Sequence, residues 1–325
     1  MSQSIRAALG AALLGLFLSR AHAETPWPDH TVKVVVSQPG GGATDIVARV
    51  FADAFSKAFK QSFVIDNKPG ANGIIATDYV AHAPADGYTL LFTYAAAQVV
   101  NQSLYKTARY DGAKDFEAVA QVGASGNFLI VPPSLPVNDL QEFIAYVKSK
   151  PANSMSYGSW GMGSGGHLSM EAIKLKTGVE IQHVPYKSTP AAIQDLLAGQ
   201  IQVAFASSVA SAALIKSGQL KALALSAPNR SSILPNVKTM TEQGVPFELT
   251  AWFGLFAPKG TPRAIVDALN AEVNRLILAP EMQKQWETLG IADLPTKTPA
   301  EFAATVQSDV VEWGKIVRES RINIE

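Results

Sequence analysis

Cysteine is absent from all 325 residues of the chain. Without it the protein has no disulfide framework, no thiolate ligands for a zinc site and no acceptor for a lipid anchor. An excess of one charge is lacking too, since 27 Lys and Arg residues are matched by 27 Asp and Glu residues. A chain with this balance has no general electrostatic attraction for nucleic acid.

Long apolar runs are also scarce, and the clearest one stands at the start of the chain. Arg6 is followed by an apolar run from Ala7 to Leu18 and by the small-x-small pattern Ala21–Ala23. These are the parts of a cleaved secretory signal, and no later run reaches the roughly 18 apolar residues that a membrane helix needs. The sequence predicts a signal peptide over residues 1–23. Loss of its two arginines leaves a net charge of about −2 on a mature protein that is free in the periplasm.

Several enzyme signatures are missing as well. The sequence has no Gly-x-Ser-x-Gly elbow, and its first glycine-rich loop lacks the Lys-Ser/Thr of a P-loop. Ser103–Lys106 and Lys176–Gly178 match two short motifs of penicillin-recognising enzymes, but no Ser-Asp-Asn lies between them and Gly178 is a typical helix stop. These absences favour a binding protein without a cofactor or metal, and leave an exported serine enzyme of the penicillin-recognising class as a remote alternative.

The chain alternates β-rich runs with helical patterns, which is typical of βαβ units. The first series has strands at 31–36, 62–66 and 89–93 and helices at 43–59 and 74–82. The second has strands at 155–158, 180–184, 201–206 and 221–225 and helices at 167–177, 191–198 and 209–217. A last series has a strand at 250–257 and helices at 262–278 and 299–318. Mostly parallel sheets are expected, with ligands bound beyond the carboxyl ends of their strands.

The length predicts two lobes, because about 300 mature residues exceed what one core usually organises. The apolar segment 116–131, interrupted by glycines, joins the first two series and is suited to carry the chain between lobes. The strand at 250–257 then returns the chain. The predicted organisation is lobe 1 over residues 24–124 plus 250–325 and lobe 2 over residues 125–249.

Two glycine-rich loops each follow a predicted strand and precede a predicted helix. They run from Ser37 to Asp45 and from Tyr157 to His167. Glycine lets an anion approach the backbone N–H groups that a helix start leaves without internal partners, and the helix dipole adds partial positive charge there. Neither loop contains Lys or Arg. The two loops therefore predict a site for a small carboxylate rather than for a triphosphate.

Seven motifs follow one another along the predicted mature chain. They are Val35–Asp45, Ala85–Leu91, Asn101 with Leu104-Tyr105, Tyr157–His167, His183–Lys187, Leu196–Gln200 and Trp252–Pro262. In this order they resemble the periplasmic receptors of tripartite tricarboxylate transporters, the Bug/TctC family. The resemblance implies a monomeric α/β periplasmic binding protein of the two-lobed, Venus flytrap, type II-like kind, each lobe a mostly parallel sheet flanked by helices. Such a receptor closes on a small organic acid in the cleft between the lobes.

The resemblance further implies delivery of the acid to a membrane permease of the tripartite tricarboxylate type. A receptor that presents its closed form to a membrane sensor needs the same closure, so the sequence does not separate the two. The resemblance also implies that the ligand lies between the two loops and is held partly through bridging waters. The candidate ligand-binding residues are Ser37, Gln38, Gly41, Gly42, Thr44, Asp45, Thr93, Ala96 and Gln98 in lobe 1 and Ser159, Trp160, Gly163, Ser164, His167, Tyr186, Lys187 and Ser207 in lobe 2.

Departures from the family pattern bear on the ligand. Ala206-Ser207 stands where relatives often have Asp-Asn, which removes a partner for an ammonium group and disfavours an amino acid. Trp160 stands where small residues are common, and together with Tyr94 and Phe205 it predicts an aromatic wall. The expected ligand is a mono- or dicarboxylate with a planar or apolar body, such as a terephthalate-like aromatic acid.

Several candidates also have a structural interpretation that needs no ligand. Asp45 lies in the first turn of its helix, where a carboxylate complements the dipole. Thr44, Ser159 and Ser164 stand where helix caps occur. His167 is placed to start a helix. The sequence leaves both interpretations open at these positions.

Overall fold

The computed structural model describes residues 27–124, 126–247, 251–289, 291, 294–319 and 322. The predicted signal peptide over residues 1–23 lies outside the described residues. The described residues form two five-stranded sheets flanked by helices. Among the described helices, none combines the length and the apolar character that a membrane crossing requires.

The first part of the chain builds most of the first sheet. Its elements are β1 (Val32–Val36), α1 (Ala43–Phe59), β2 (Phe63–Asn67), α2 (Ile74–Ala81), β3 (Thr89–Tyr94), a π-helical turn (Ala96–Val100), α3 (Asn101–Leu104) and β4 (Phe116–Ala124). The β1 sequence is an unbroken apolar run apart from Lys33, as expected of a strand covered on both faces. The 17 residues of α1 carry one apolar face, which packs on the sheet.

The second sheet and the C-terminal helices follow. The elements of the second sheet and its helices are β5 (Asn127–Val131), α4 (Leu140–Lys148), β6 (Ser156–Ser159), α5 (Gly165–Thr177), β7 (Gln182–Pro185), α6 (Thr189–Leu197), β8 (Val203–Ser207), α7 (Ser208–Lys216) and β9 (Lys221–Ser226). The chain ends with β10 (Trp252–Pro258), α8 (Arg263–Leu278), α9 (Pro280–Leu289) and α10 (Pro299–Glu319).

The strand orders are β2-β1-β3-β10-β4 in the first sheet and β7-β6-β8-β5-β9 in the second. We call the sheets with their helices lobe 1 and lobe 2. The chain passes from β4 in lobe 1 directly to β5 in lobe 2, and β10 returns it to lobe 1. The two predicted lobe boundaries fall at residue 125 and at 248–250, which lie outside the described part of the chain.

Both sheets are mixed rather than mostly parallel. Strand β1 pairs in parallel with β2 and β3, and β6 pairs in parallel with β7 and β8. The antiparallel pairs all involve β5 or β10. These two strands are entered from the other lobe. No crossover helix returns the chain to the same end of the sheet there, so nothing requires the parallel direction.

Two helices, α4 and α9, were not anticipated from the sequence pattern. Helix α4 begins at a capping residue, since the Asp139 side chain accepts a hydrogen bond from the Glu142 N–H. Helix α9 is polar over most of its length and buries Trp286. The Trp286 ring stacks on Phe51 of α1 with ring centroids 5.4 Å apart. Trp286 packs α9 on lobe 1 together with the half-buried Met282 and Leu289, and three apolar contacts in a polar helix give no clear periodicity.

The two lobes touch across the cleft. The Tyr105 hydroxyl, just after α3, donates to the Met162 carbonyl of the second glycine-rich loop at 2.9 Å. A Cβ built on the neighbouring Gly163 would lie 2.2 Å from a methyl carbon of Leu104. Glycine is also favoured at this position by its φ of +72°. These contacts define a closed arrangement of the lobes around the site.

Candidate functional site

An inner cavity lies between the lobes, and the space between its atoms, open solvent included, is about 470 Å³. Lobe 1 contributes the first glycine-rich loop, the end of β3 and the start of β10, while lobe 2 contributes Asn127, Trp160, Gly165, Thr189 and Ser207. A molecule held here contacts both lobes at once.

The starts of four helices meet at the inner cavity. Thr44 belongs to the first turn of α1, Gly165 begins α5, Thr189 begins α6 and Ser207 precedes α7. The first N–H groups of a helix lack intrahelical partners, and each helix start carries roughly half an elementary positive charge. No Lys, Arg, Asp or Glu is among the described residues that line this cavity. The arrangement therefore favours an anion held by backbone amides and neutral side chains.

Three buried polar atoms in the cavity lining have no hydrogen-bond partner among the described residues. They are Thr44 Oγ1, Ser207 Oγ and Trp313 Nε1. A buried polar atom without a partner costs about 1–3 kcal/mol. Thr44 and Trp313 belong to lobe 1 and Ser207 to lobe 2. A ligand oxygen that accepted hydrogen bonds from these groups would remove the cost and connect the lobes.

The first glycine-rich loop is stabilised by Asp45, which is 2% exposed. Its carboxylate accepts hydrogen bonds from the Gly41 N–H at 2.8 Å, from Asn67 Nδ2 at 2.9 Å and from the Arg49 guanidinium at 2.9 Å. Burial raises the pKa of Asp45, but the bonds from Arg49, Gly41 and Asn67 outweigh it and lower the pKa below its ordinary value. Asp45 thus stays ionised and is occupied within its own loop.

The second loop is held by a buried pair of histidines. His167 Nδ1 accepts from the Gly163 N–H at 2.9 Å, and His183 Nε2 lies 2.7 Å from the Ser159 hydroxyl. The two imidazoles stack with centroids 4.2 Å apart. Burial is the main cause that lowers the pKa of His167 to about 4 and that of His183 to about 3. Both rings are neutral at pH 7, which lets His167 accept the bond that fixes the loop.

Trp160 lies against the start of α5. A Cβ built on Gly166 would be 2.7 Å from Cζ3 of the Trp160 ring and 2.9 Å from Cβ of Phe205. Glycine at this position therefore leaves room for the indole. Phe205 itself is fully buried and lines neither cavity. The aromatic surface consists of Trp160 and Tyr94, as predicted, together with residues of β10 and α10.

The C-terminal helix α10 contributes to the inner cavity through Trp313. The Trp313 ring meets Phe247 edge to face at 6.1 Å, beside the segment that returns the chain to lobe 1. One turn earlier, Asp309 accepts a hydrogen bond from Trp252 Nε1 at 2.6 Å. Burial raises the pKa of Asp309. These contacts fix α10 against the first residues of β10, which also line the cavity.

An outer cavity adjoins the inner one, and the space between its atoms, open solvent included, is about 1,080 Å³. The linings share Gln38, Tyr94 and Trp160, which we call the junction. The Tyr94 hydroxyl donates to Asn72 Oδ1 at 2.7 Å, and burial raises the pKa of this phenol. Lys187 is the one cationic side chain among the described residues of the outer lining.

The structure brings eight of the predicted site residues to the two cavities. The inner lining contains Gln38, Thr44, Ala96, Trp160 and Ser207, and the outer lining contains Ser37, Gln38, Trp160, Tyr186 and Lys187. The others line neither cavity: Gly41, Gly42, Asp45, Thr93, Gln98, Ser159, Gly163, Ser164 and His167. Most of this second group shape the loops, and the assignment of ligand contacts stays a prediction.

Gln98 and Thr93 illustrate why some candidates lie behind the cavity surface. Gln98 is fully buried, and its Nε2 donates to the Gly112 carbonyl at 2.8 Å. Residues two apart on a helical turn point to opposite sides, so Ala96 faces the cavity while Gln98 does not. The Thr93 hydroxyl lies 2.8 Å from that of Ser37 and supports the loop from beneath.

Several lining residues were not singled out from the sequence. They are Asn127, Thr189, Trp252, Phe253 and Trp313. A local signal existed for Thr189, since Ser188 caps α6 and a proline follows at the start of the helix. No local signal exists for Trp313, because only the folded chain brings α10 to the cleft.

Two lobes of mixed sheet closed around an anion-compatible cleft define the class of periplasmic solute-binding receptors. A family model described as "Tripartite tricarboxylate transporter family receptor" matches residues 47–322. The chain belongs to this family, also called TctC or Bug, which confirms the resemblance seen in the sequence. The family is one of receptors rather than enzymes, so the alternative of a penicillin-recognising enzyme is excluded.

Named relatives extend this result. Protein BugT from Bordetella pertussis is 33% identical over 95% of this chain and 96% of its own length. The solved structure "R. palustris Rpa4515 with adipate" is 36% identical, has a TM-score of 0.86 and covers 91% of this chain and 99% of that chain. "MatC (Rpa3494) from Rhodopseudomonas palustris with bound malate" is 33% identical, has a TM-score of 0.82 and covers 90% and 100%. The likeness spans both lobes.

Proposed function

We propose that this protein captures a small organic carboxylate in its inner cavity and delivers it to a membrane permease of the tripartite tricarboxylate type. One observation carries the proposal. The Thr44 hydroxyl of lobe 1 and the Ser207 hydroxyl of lobe 2 are buried without partners in the same cavity, among four helix starts. A carboxylate offers enough lone pairs to accept from both.

The arrangement also supports closure upon binding. A ligand closes a two-lobed protein only by binding the closed state more tightly than the open one. Thr44 and Ser207 belong to different lobes, so one oxygen or one carboxylate between them gains its second partner on closure. Helix starts from both lobes strengthen the same preference.

The lining favours particular acids. The described residues that line the two cavities include no Asp or Glu, so an ammonium group finds no carboxylate partner there. This disfavours amino acids. Tyr94, Trp160, Trp252 and Phe253 offer aromatic surface to the ligand body. Adipate and malate, the molecules named with two similar structures, are dicarboxylates without an amino group.

Export to the periplasm as a monomer without a lipid anchor is part of the proposal. It is supported by the predicted signal peptide, by the absence of cysteine and by the family. Delivery to a permease is supported by the family description. Presentation of the closed form to a membrane sensor needs the same closure, and no feature of the described residues favours it.

Thermal unfolding of the purified protein, refolded to remove carried ligand, tests the proposal. The panel comprises mono-, di- and tricarboxylates, aromatic diacids, amino acids and the neutral amides of each acid. A ligand at 100 times its Kd adds about 2.7 kcal/mol of stability, which raises the Tm by several degrees. A shift with an acid and none with its amide is expected. No shift with any acid would contradict the proposal.

Variants then locate the site. Thr44→Val and Ser207→Ala each remove one unpartnered hydroxyl, and both should weaken binding of the best acid about tenfold, as expected for a hydrogen bond to a charged group. Ser217→Ala is the matched control, because Ser217 is exposed at the opposite end of α7. Equal affinities for Ser207→Ala, Thr44→Val and the control would place the ligand elsewhere.

A further inference from the structure

The outer cavity differs in charge from the inner one. The inner lining is neutral, whereas Lys187 adds a positive charge to the outer lining and no acidic residue of the described chain balances it there. Lys187 lies two residues before the start of α6, so the dipole of that helix has the same sign. The described lining of the outer cavity therefore carries one positive charge.

Three other polar side chains of the outer cavity are already partnered. The Tyr186 hydroxyl donates to Asp195 at 2.8 Å, and the Tyr105 hydroxyl donates to the Met162 carbonyl at 2.9 Å. Asn72 accepts from Tyr94 and donates to Asn101 Oδ1 at 2.9 Å. Lys187 forms no ion pair with any described residue and is exposed. Its ammonium group is thus the one charged donor that the described lining of the outer cavity offers to a ligand.

The two cavities share the junction residues and lie on its two sides in a fixed chemical order. The inner end collects helix starts and unpartnered hydroxyls, the junction offers the rings of Tyr94 and Trp160, and the outer end carries Lys187. An anion, an apolar body and a second anion match this order. A monoacid would leave the outer charge without a partner.

We infer that the outer cavity is a second anion subsite and that Lys187 makes the receptor select dicarboxylates over monocarboxylates of the same length. This inference rests on the proposed function, since the first carboxylate occupies the inner cavity. The body of the ligand then passes through the junction beside Gln38, Tyr94 and Trp160. Lys187 binds the distal carboxylate through one charge-assisted hydrogen bond.

Calorimetric titration with matched ligands tests the inference. The probes are adipate and its half-amide, and terephthalate and its half-amide, because each half-amide keeps the length and shape of the diacid and loses one charge. The better of the two diacids should bind the wild-type protein about tenfold more tightly than its half-amide. Lys187→Gln should weaken the diacid about tenfold and leave the half-amide within twofold, so that the difference disappears.

Two further variants separate the local charge from general effects. Lys187→Arg keeps a cation and should retain the preference for the diacid. Lys176→Gln removes an exposed lysine at the far end of α5 and should change neither affinity, which controls for the net charge of the protein.

The outcomes distinguish the two proposals. If Lys187→Gln weakens diacid and half-amide equally, or if the wild-type protein does not distinguish them, the second subsite is refuted while the carboxylate receptor stands. If the wild-type protein binds neither the four probes nor any other acid of the panel, the proposed function fails and this inference fails with it.

Discussion

Tyr105→Phe removes a hydrogen bond that exists only while the lobes are closed. The Tyr105 hydroxyl of lobe 1 donates to the Met162 carbonyl of lobe 2 at 2.9 Å. Because this hydroxyl is already occupied by Met162, the substitution takes no direct contact from the ligand, and the aromatic ring remains in the outer lining. Its effect should fall on the closed state alone.

The magnitude follows from the type of bond. A neutral hydrogen bond contributes about 0.5–1.5 kcal/mol net, and the Met162 carbonyl regains water when the lobes open. If ligand binding requires closure, this energy is subtracted from the binding free energy. A loss of about 1 kcal/mol weakens the affinity about fivefold. The unfolding free energy of the unliganded protein should change by less than this, since each lobe keeps its own core.

The assay is calorimetric titration with the best acid of the panel, with small-angle scattering to follow compaction on binding. Tyr146→Phe is the control, because Tyr146 lies on α4 and lines neither cavity. Tyr105→Phe should lower the affinity and the compact fraction together, and Tyr146→Phe should change neither. An unchanged affinity with Tyr105→Phe, or an equal loss in the stability of the unliganded protein, would refute the reasoning.

Three further predictions concern the loops and the junction. Asp45→Asn should lower the unfolding free energy at pH 7 by about 1–3 kcal/mol in a urea titration. The hydrogen bonds that lower the pKa of Asp45 add stability above its unfolded pKa, and this stability is lost as the pH falls through the lower folded pKa. An unchanged midpoint and slope of the urea titration would contradict this prediction. Trp160→Ala should weaken terephthalate far more than adipate in a calorimetric titration, and equal losses would show that the indole does not contact the ligand body. The folded pKa values of His167 and His183, about 4 and about 3, lie below the unfolded value of about 6.5. The unfolded state therefore binds more protons, and the unfolding free energy should fall as the pH drops from about 6.5 toward 4. His183→Gln should reduce the slope of the unfolding free energy against pH in urea titrations, and the same slope in both proteins would contradict the assignment.

Local signals in the sequence account for much of the fold. Helix α1 spans the predicted residues 43–59, because an apolar strand, a glycine-rich turn and an amphipathic run follow one another there. Helix α5 begins at Gly165, two residues earlier than predicted, since the Ser164 hydroxyl accepts from the His167 N–H and caps it. The pattern of strands also gave lobe boundaries, which stay a prediction. It did not reveal the direction of β5 and β10, which depends on pairing between distant strands.

The local sequence signal for the candidate site is clearest in the two glycine-rich loops. Thr44 and Trp160 lie in the two glycine-rich loops, and both reach the inner cavity. Gln98 is near the site in sequence but points into the core, because side-chain direction depends on the turn after β3. Trp313 reaches the cavity from α10 through contacts with Phe247 that no local pattern encodes.

The unpartnered hydroxyls explain how a neutral cleft can drive closure. When the lobes close without a ligand, Thr44 and Ser207 lose water and gain no partner, at a cost of about 1–3 kcal/mol each. A carboxylate that accepts from both removes this cost in the closed state only. The sum, about 2–6 kcal/mol, approaches the roughly 5.5 kcal/mol needed to move an equilibrium from 1% to 99% closed. If the proposed acid accepts from both hydroxyls, the same two groups that cost free energy in the closed form without a ligand favour that form once the acid is bound.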